Sequence, residues 1–178
     1  MTDRTLNTER EVRMHEQDDA RHDFDFILGQ WRIHNRKLID PLDPTCDEWI
    51  EFEAAGDARP LLHGLGNIDT FTADALPPDD APFQGLALRL FDPATRLWRI
   101  WWASTRNPGR LDPPLTGRFD TDTHGTFLGD ELIAGRPTKV RFDWQTARPT
   151  RWKQAFSFDN GSTWHTNWVM TFSDHRGR

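Results

Sequence analysis

The chain has no tyrosine and a single cysteine, Cys46. One cysteine cannot close an internal disulfide and offers no CxxC pair to a metal, so a reduced, cytoplasmic protein is expected. No run of apolar residues approaches a membrane span, and residues 1–22 are polar, without the apolar core of a signal peptide. Net charge is −6 with both signs scattered, and no basic stripe exists to meet nucleic acid. Catalytic motifs are missing too. His34, His63, His124 and His165 show no close metal-ligand spacing, and no HExxH is present. Gly64-Leu65-Gly66 lacks the helix pattern that follows a phosphate loop, and Ser104, Ser157 and Ser173 sit in no nucleophile elbow. No metal is expected, and no residue is singled out as catalytic.

Aromatic residues are abundant instead: nine Trp and twelve Phe in 178 residues. Trp fills large spaces and brings one N–H that needs a partner. These numbers point to an aromatic-lined interior or interface, with a bulky core as the plainer alternative. The length suits one domain, placed at 23–174, between a polar arm at 1–22, flexible or helical, and a tail at 175–178.

Residues 24–28 are apolar and stop at Gly29, after which Trp31 and Ile33 alternate with Arg32, His34 and Arg36. The pattern predicts a short helical plug over 23–28 with Trp31 packing over it from the first strand. Strand signals then follow one another at hairpin spacing. The expected strands are 31–38, 48–54, 60–72 (bent at its glycines), 84–91, 96–103, 115–120, 126–133, 138–145, 151–158 and 163–173. Sequential antiparallel strands hide their edges best by closing. The expected fold is all-β: a closed antiparallel up-and-down barrel of about ten strands, wide enough to leave a cavity.

The connection Asp92-Pro93-Ala94-Thr95 carries a type I turn signal. An even loop there puts Ala87, Arg89 and Phe91 on the face of Trp98, Ile100 and Trp102. Leu86, Leu88 and Leu90 then share a face with Leu97, Arg99 and Trp101, so both faces are apolar and each holds one Arg. The second apolar face predicts a cover, from the arm or from a second copy, and a homodimer is expected. The expected ligand-binding set is Trp49, Trp98, Trp102, Trp144 and Trp168 as walls, with Glu51, Asn67 and Arg89 as polar groups and Arg89 as the clamp for an anionic end. Glu51, among Trp residues, is also the candidate acid or base.

Several segments together resemble a bacterial family of uncharacterised lipocalin-like (calycin) domains. They are Phe24-Asp25-Phe26 with Gly29-x-Trp31, Arg59-Pro60-Leu61-Leu62 with Gly64-Leu65-Gly66-Asn67, Leu90-Phe91-Asp92-Pro93-Ala94-Thr95, and Asn167-Trp168-Val169-Met170. The resemblance covers residues 23–173 and implies a β-barrel; Gly29-x-Trp31 more distantly resembles fatty-acid-binding and nitrobindin-type barrels. Residues 157–164, Ser-Phe-Asp-Asn-Gly-Ser-Thr-Trp, are similar to the Asp-box of sialidases. That likeness implies a structural hairpin, with Asp159 accepting loop N–H groups, Trp164 inside and His165 outside. Three functions stay open. One is a barrel binding a small hydrophobic or amphipathic molecule without a cofactor. Another is a cofactor-independent lyase, isomerase or cyclase in the same cavity. The last, implied by the nitrobindin likeness, is haem or nitric-oxide binding through an axial histidine.

Overall fold

A computed structural model of the chain describes residues 20–77 and 79–174. Most of the polar arm and the four-residue tail lie outside the described residues. Ten strands run in sequence: β1 (Gly29–Leu38), β2 (Trp49–Leu61), β3 (Gly66–Leu76), β4 (Ala81–Asp92) and β5 (Leu97–Ser104), then β6 (Leu115–Thr121), β7 (His124–Ile133), β8 (Arg136–Gln145), β9 (Thr150–Ser157) and β10 (His165–Asp174). Each pairs antiparallel with its sequence neighbours, and β10 pairs with β1, so the sheet is a closed barrel without a free edge. This is the expected up-and-down architecture, consistent with a lipocalin-like fold.

One end is plugged. Two 3-10 turns, Ala20–His22 and Asp25–Ile27, lie across it. Phe24 is almost fully buried there, with ring centroids 5.0 Å from Trp98, 5.1 Å from Phe119 and 5.5 Å from Phe127. Two indoles tie the plug down. Trp31 Nε1 donates to the Ile27 carbonyl at 2.6 Å, and Trp98 Nε1 donates to the Ala20 carbonyl at 2.9 Å. The short apolar turn thus gains its place from aromatic burial and two satisfied N–H groups, not from helix propensity.

The β4–β5 hairpin keeps the even parity. Phe91 faces Trp98, Arg89 faces Ile100 and Ala87 faces Trp102 across the pair. Its loop is held by Asp92, whose carboxylate accepts from Ala94 N at 3.0 Å and whose carbonyl accepts from Arg96 N at 2.8 Å. Burial alternates along β4 with the odd positions buried, so Leu86, Leu88 and Leu90 point out.

Two local expectations change. Residues 62–64 are a 3-10 turn between β2 and β3, not part of a bent strand; Leu62 and His63 take φ of 51° and 53°. The close approach expected at the glycines is at Gly66, where an added Cβ would lie 2.8 Å from the Arg89 carbonyl oxygen. The Asp-box hairpin forms, but Trp164 lies outside the barrel, with the Arg141 guanidinium 4.5 Å from its ring centroid. Arg141 alternates with the buried Val140 on β8, so the pair marks the outer face. On β10 the pairing with β9 slips between Thr166 and Trp168, and this bulge resets the parity, so Trp168 and Met170 face in beside Trp152 and Gln154.

Candidate functional site

Ten strands enclose more volume than their side chains fill. A cavity of about 250 Å³ lies along the barrel axis above the plug. Its walls are aromatic, from Phe71, Trp102, Phe142, Trp144, Trp152 and Trp168. The polar groups on its wall are few: Asp69, Arg89, Asp112, Glu131 and Gln154.

Arg89 and Trp144 mark the floor. The Arg89 guanidinium carbon lies 5.1 Å from the Phe24 ring centroid and 5.6 Å from that of Trp144. Arg89 is only 4% exposed, so its charge requires a partner. Asp69 supplies it: Nη1 donates to Asp69 Oδ1 at 3.0 Å and also to Asn67 Oδ1 at 3.0 Å. The cross-strand register explains this. Asn67 stands opposite Arg89, and Asp69 is the next inward position on β3. Two buried donors nearby find no acceptor among the described residues: Arg89 Nε and Trp144 Nε1. A buried N–H left unpaired costs about 1–3 kcal/mol.

At the opposite end two carboxylates gather. Asp112 comes from the loop after β5, where its N–H donates to the Trp102 carbonyl at 2.8 Å and Asn107 Nδ2 donates to its carboxylate at 3.2 Å. Glu131 comes from β7, on the same side as buried Phe127. Burial pushes the Glu131 carboxyl above the usual range, the negative charge of Asp112 pushes it further, and Arg110 partly offsets both. Above the cavity wall, Lys37 Nζ sits 4.2 Å from the Trp168 ring centroid.

Of the eight residues expected from sequence, Arg89, Trp102, Trp144 and Trp168 line this cavity. Asn67 stands behind Arg89 and holds its guanidinium. Trp98 is inside the barrel but below the cavity, packed on Phe24 and Phe91. Trp49 and Glu51 are elsewhere. Both are outward positions of β2, because the buried alternation runs through Ala54 and Ala58. Arg36 covers the Trp49 ring at 5.1 Å and bonds Glu51 at 3.1 Å, while His34 lies 3.6 Å from Glu51. Glu51 is thus a solvated cross-strand ion pair, and the carboxyl groups that line the cavity are those of Asp69, Asp112 and Glu131. Asp69, Glu131 and Trp152 were legible by parity: each is an even number of residues from an inward aromatic, Phe71, Phe127 or Phe156, on its own strand. Asp112 carried no such signal, since a loop delivers it.

No described histidine lines the cavity. His34 bonds Glu53 on the outer face at 2.7 Å, and His165 stacks on Phe158. The lining residues therefore do not fit a haem held by an axial histidine. Among the described residues no group of three or more His, Cys, Asp or Glu could hold a metal ion. No described helix is long and apolar enough to cross a membrane. No protein-family model and no curated protein matches the chain, and the likeness to lipocalin-like proteins therefore stands on the barrel architecture.

Proposed function

We propose that the barrel is a container for a small, mostly apolar molecule, held in the aromatic cavity with its one polar end toward Arg89. The observation that carries this is the cavity itself: about 250 Å³ walled by aromatic rings, closed at one end, with buried donors at its floor. Wide apolar walls with a few placed polar groups are the usual build of a small-molecule site. Ala87 lies on the wall opposite Trp102, so Ala87→Leu puts three extra carbons into the space. Calorimetric titration with naphthalene-sized aromatic ketones is expected to give saturable binding to the parent protein and at least tenfold weaker binding to Ala87→Leu. Equal affinities in the two proteins, or no binding to either, would remove the container reading.

A catalytic reading is favoured by one observation, the placement of Asp112 and Glu131 together on the cavity wall, where burial holds the Glu131 carboxyl above its usual range. In that reading Glu131, with Asp112, would be the acid–base pair of a cofactor-independent lyase or isomerase. Glu131→Gln that abolishes turnover while leaving affinity intact would select it over plain binding.

The outer face supports a second copy of the chain as partner. Ile68, Leu86, Leu88, Leu90, Leu97 and Trp101 lie at outward, only partly covered positions on three adjacent strands. A two-fold contact needs one such self-complementary patch per chain.

A further inference from the structure

Building on the container reading, we infer that the cavity selects an uncharged molecule with a hydrogen-bond-accepting oxygen, a ketone, ester or ether, and rejects the corresponding carboxylate. Three observations meet here. The single guanidinium of the cavity is already neutralised, because Asp69 holds Nη1 at 3.0 Å while being only 17% exposed itself. A ligand carboxylate would have to compete with Asp69 for a charge that is spent. The second observation is the rest of the wall. Asp112 and Glu131 add two more acidic groups, and no further cation is among the described residues that line the cavity; Lys37 over the Trp168 ring and Arg110 beside Glu131 stand at its margin, so an incoming anion meets three acidic side chains and one paired arginine on the wall itself. Like charges in a poorly hydrated space repel far more strongly than in water.

The third observation supplies the attraction. Arg89 Nε and Trp144 Nε1 are buried donors without an acceptor among the described residues, on two residues that both line the cavity, with the Arg89 guanidinium carbon 5.6 Å from the Trp144 ring centroid. Arg89 is 4% and Trp144 is 3% exposed. Both need an acceptor and neither needs a negative charge. A carbonyl oxygen offers two lone pairs and carries no net charge into the acidic barrel. In this reading the arginine works as a fixed donor, in place of the anion clamp expected from its sequence position.

Four probes on one skeleton separate the possibilities: 2-acetylnaphthalene, methyl 2-naphthoate, 2-naphthoate and 2-ethylnaphthalene, titrated calorimetrically into the intact protein at pH 7.5. The ketone and the ester are expected to bind at least tenfold more tightly than the carboxylate. The ketone is also expected to bind at least threefold more tightly than 2-ethylnaphthalene, which lacks the oxygen. Trp144→Phe, which removes one donor and keeps the ring, should erase most of that second difference. Asp112→Asn with Glu131→Gln should narrow the gap between ester and carboxylate. A carboxylate that binds as well as its ester, or a ketone no better than 2-ethylnaphthalene, overturns the inference while the container reading survives. Failure of all four probes to bind removes the container reading itself.

Discussion

At Lys37 burial and a neighbouring charge act on one ammonium group. Removal from water lowers its pKa from 10.5 to about 8, and the nearby Arg106 pushes the same way. The folded value lies below the unfolded one, so between about pH 8 and 10.5 the unfolded chain holds the extra proton. Stability contributed by this group therefore rises as pH rises through that window. Lys37→Met is expected to be the more stable protein at pH 7, and its advantage should shrink by about 3 kcal/mol by pH 10.5. Urea melts across this range check it, and a constant difference would refute it. Asp159 has the opposite sign. Thr163 Oγ1 and N and Ser157 Oγ all donate to its carboxylate at 2.7 to 2.8 Å and hold its pKa at about 2. Its contribution is present above pH 3.8 and is lost as pH falls through 2. Asp159→Asn should melt lower than the parent protein at pH 6, with the two thermal midpoints converging below pH 3.

At the scale of elements, the plug and the β4–β5 hairpin decide what the cavity can be. Phe24 is the ring on which Trp98, Phe119, Phe127 and Trp144 converge. Phe24→Ala is expected to cost about 3–5 kcal/mol in denaturant unfolding, as for other buried aromatics. It also takes away the ring that lies against the Arg89 guanidinium, so ketone affinity should fall with stability. Gly85 acts on the cavity through a neighbour. A Cβ at this position would run into the edge of the Trp102 ring, which no packed structure tolerates. Gly85→Ala must push the indole aside, and weaker ligand binding in calorimetry is the expected result, together with altered Trp fluorescence. Unchanged affinity would show that Trp102 can yield without narrowing the space.

For the whole molecule, closure leaves no strand edge exposed, so self-association has to use a face. Sedimentation equilibrium at micromolar concentration is expected to give a dimer, and Leu88→Glu a monomer with unchanged ligand affinity. A monomeric parent protein would leave the partly covered Trp101 as an ordinary surface side chain and remove the proposed partner.

Strand number, strand order, the plug and the two faces of the β4–β5 hairpin were all readable from the chain. Each depends on a local quantity: the period of two along a strand, the glycine that ends an apolar turn, the even length of a loop. What only the tertiary structure decided are relations between strands. Nothing near Arg89 in sequence announces that Asp69, twenty residues away, will neutralise it; the β3–β4 register does that. The bulge beside Asn167 inverts the face of β10 after Thr166, so Trp168 faces in as expected while Trp164, of the same parity, lies outside, a one-residue slip that alternation alone could not locate. Glu51 looked inward because Trp49 shares its face, but β2 buries its small residues, Ala54 and Ala58, and turns that face to solvent. A loop carries Asp112 to Glu131, and the charge of the cavity follows from that meeting. The sequence by itself determined a closed aromatic barrel, because periodicity is local. The charge of its interior was decided by the tertiary structure, because it depends on which distant side chains register and closure bring together.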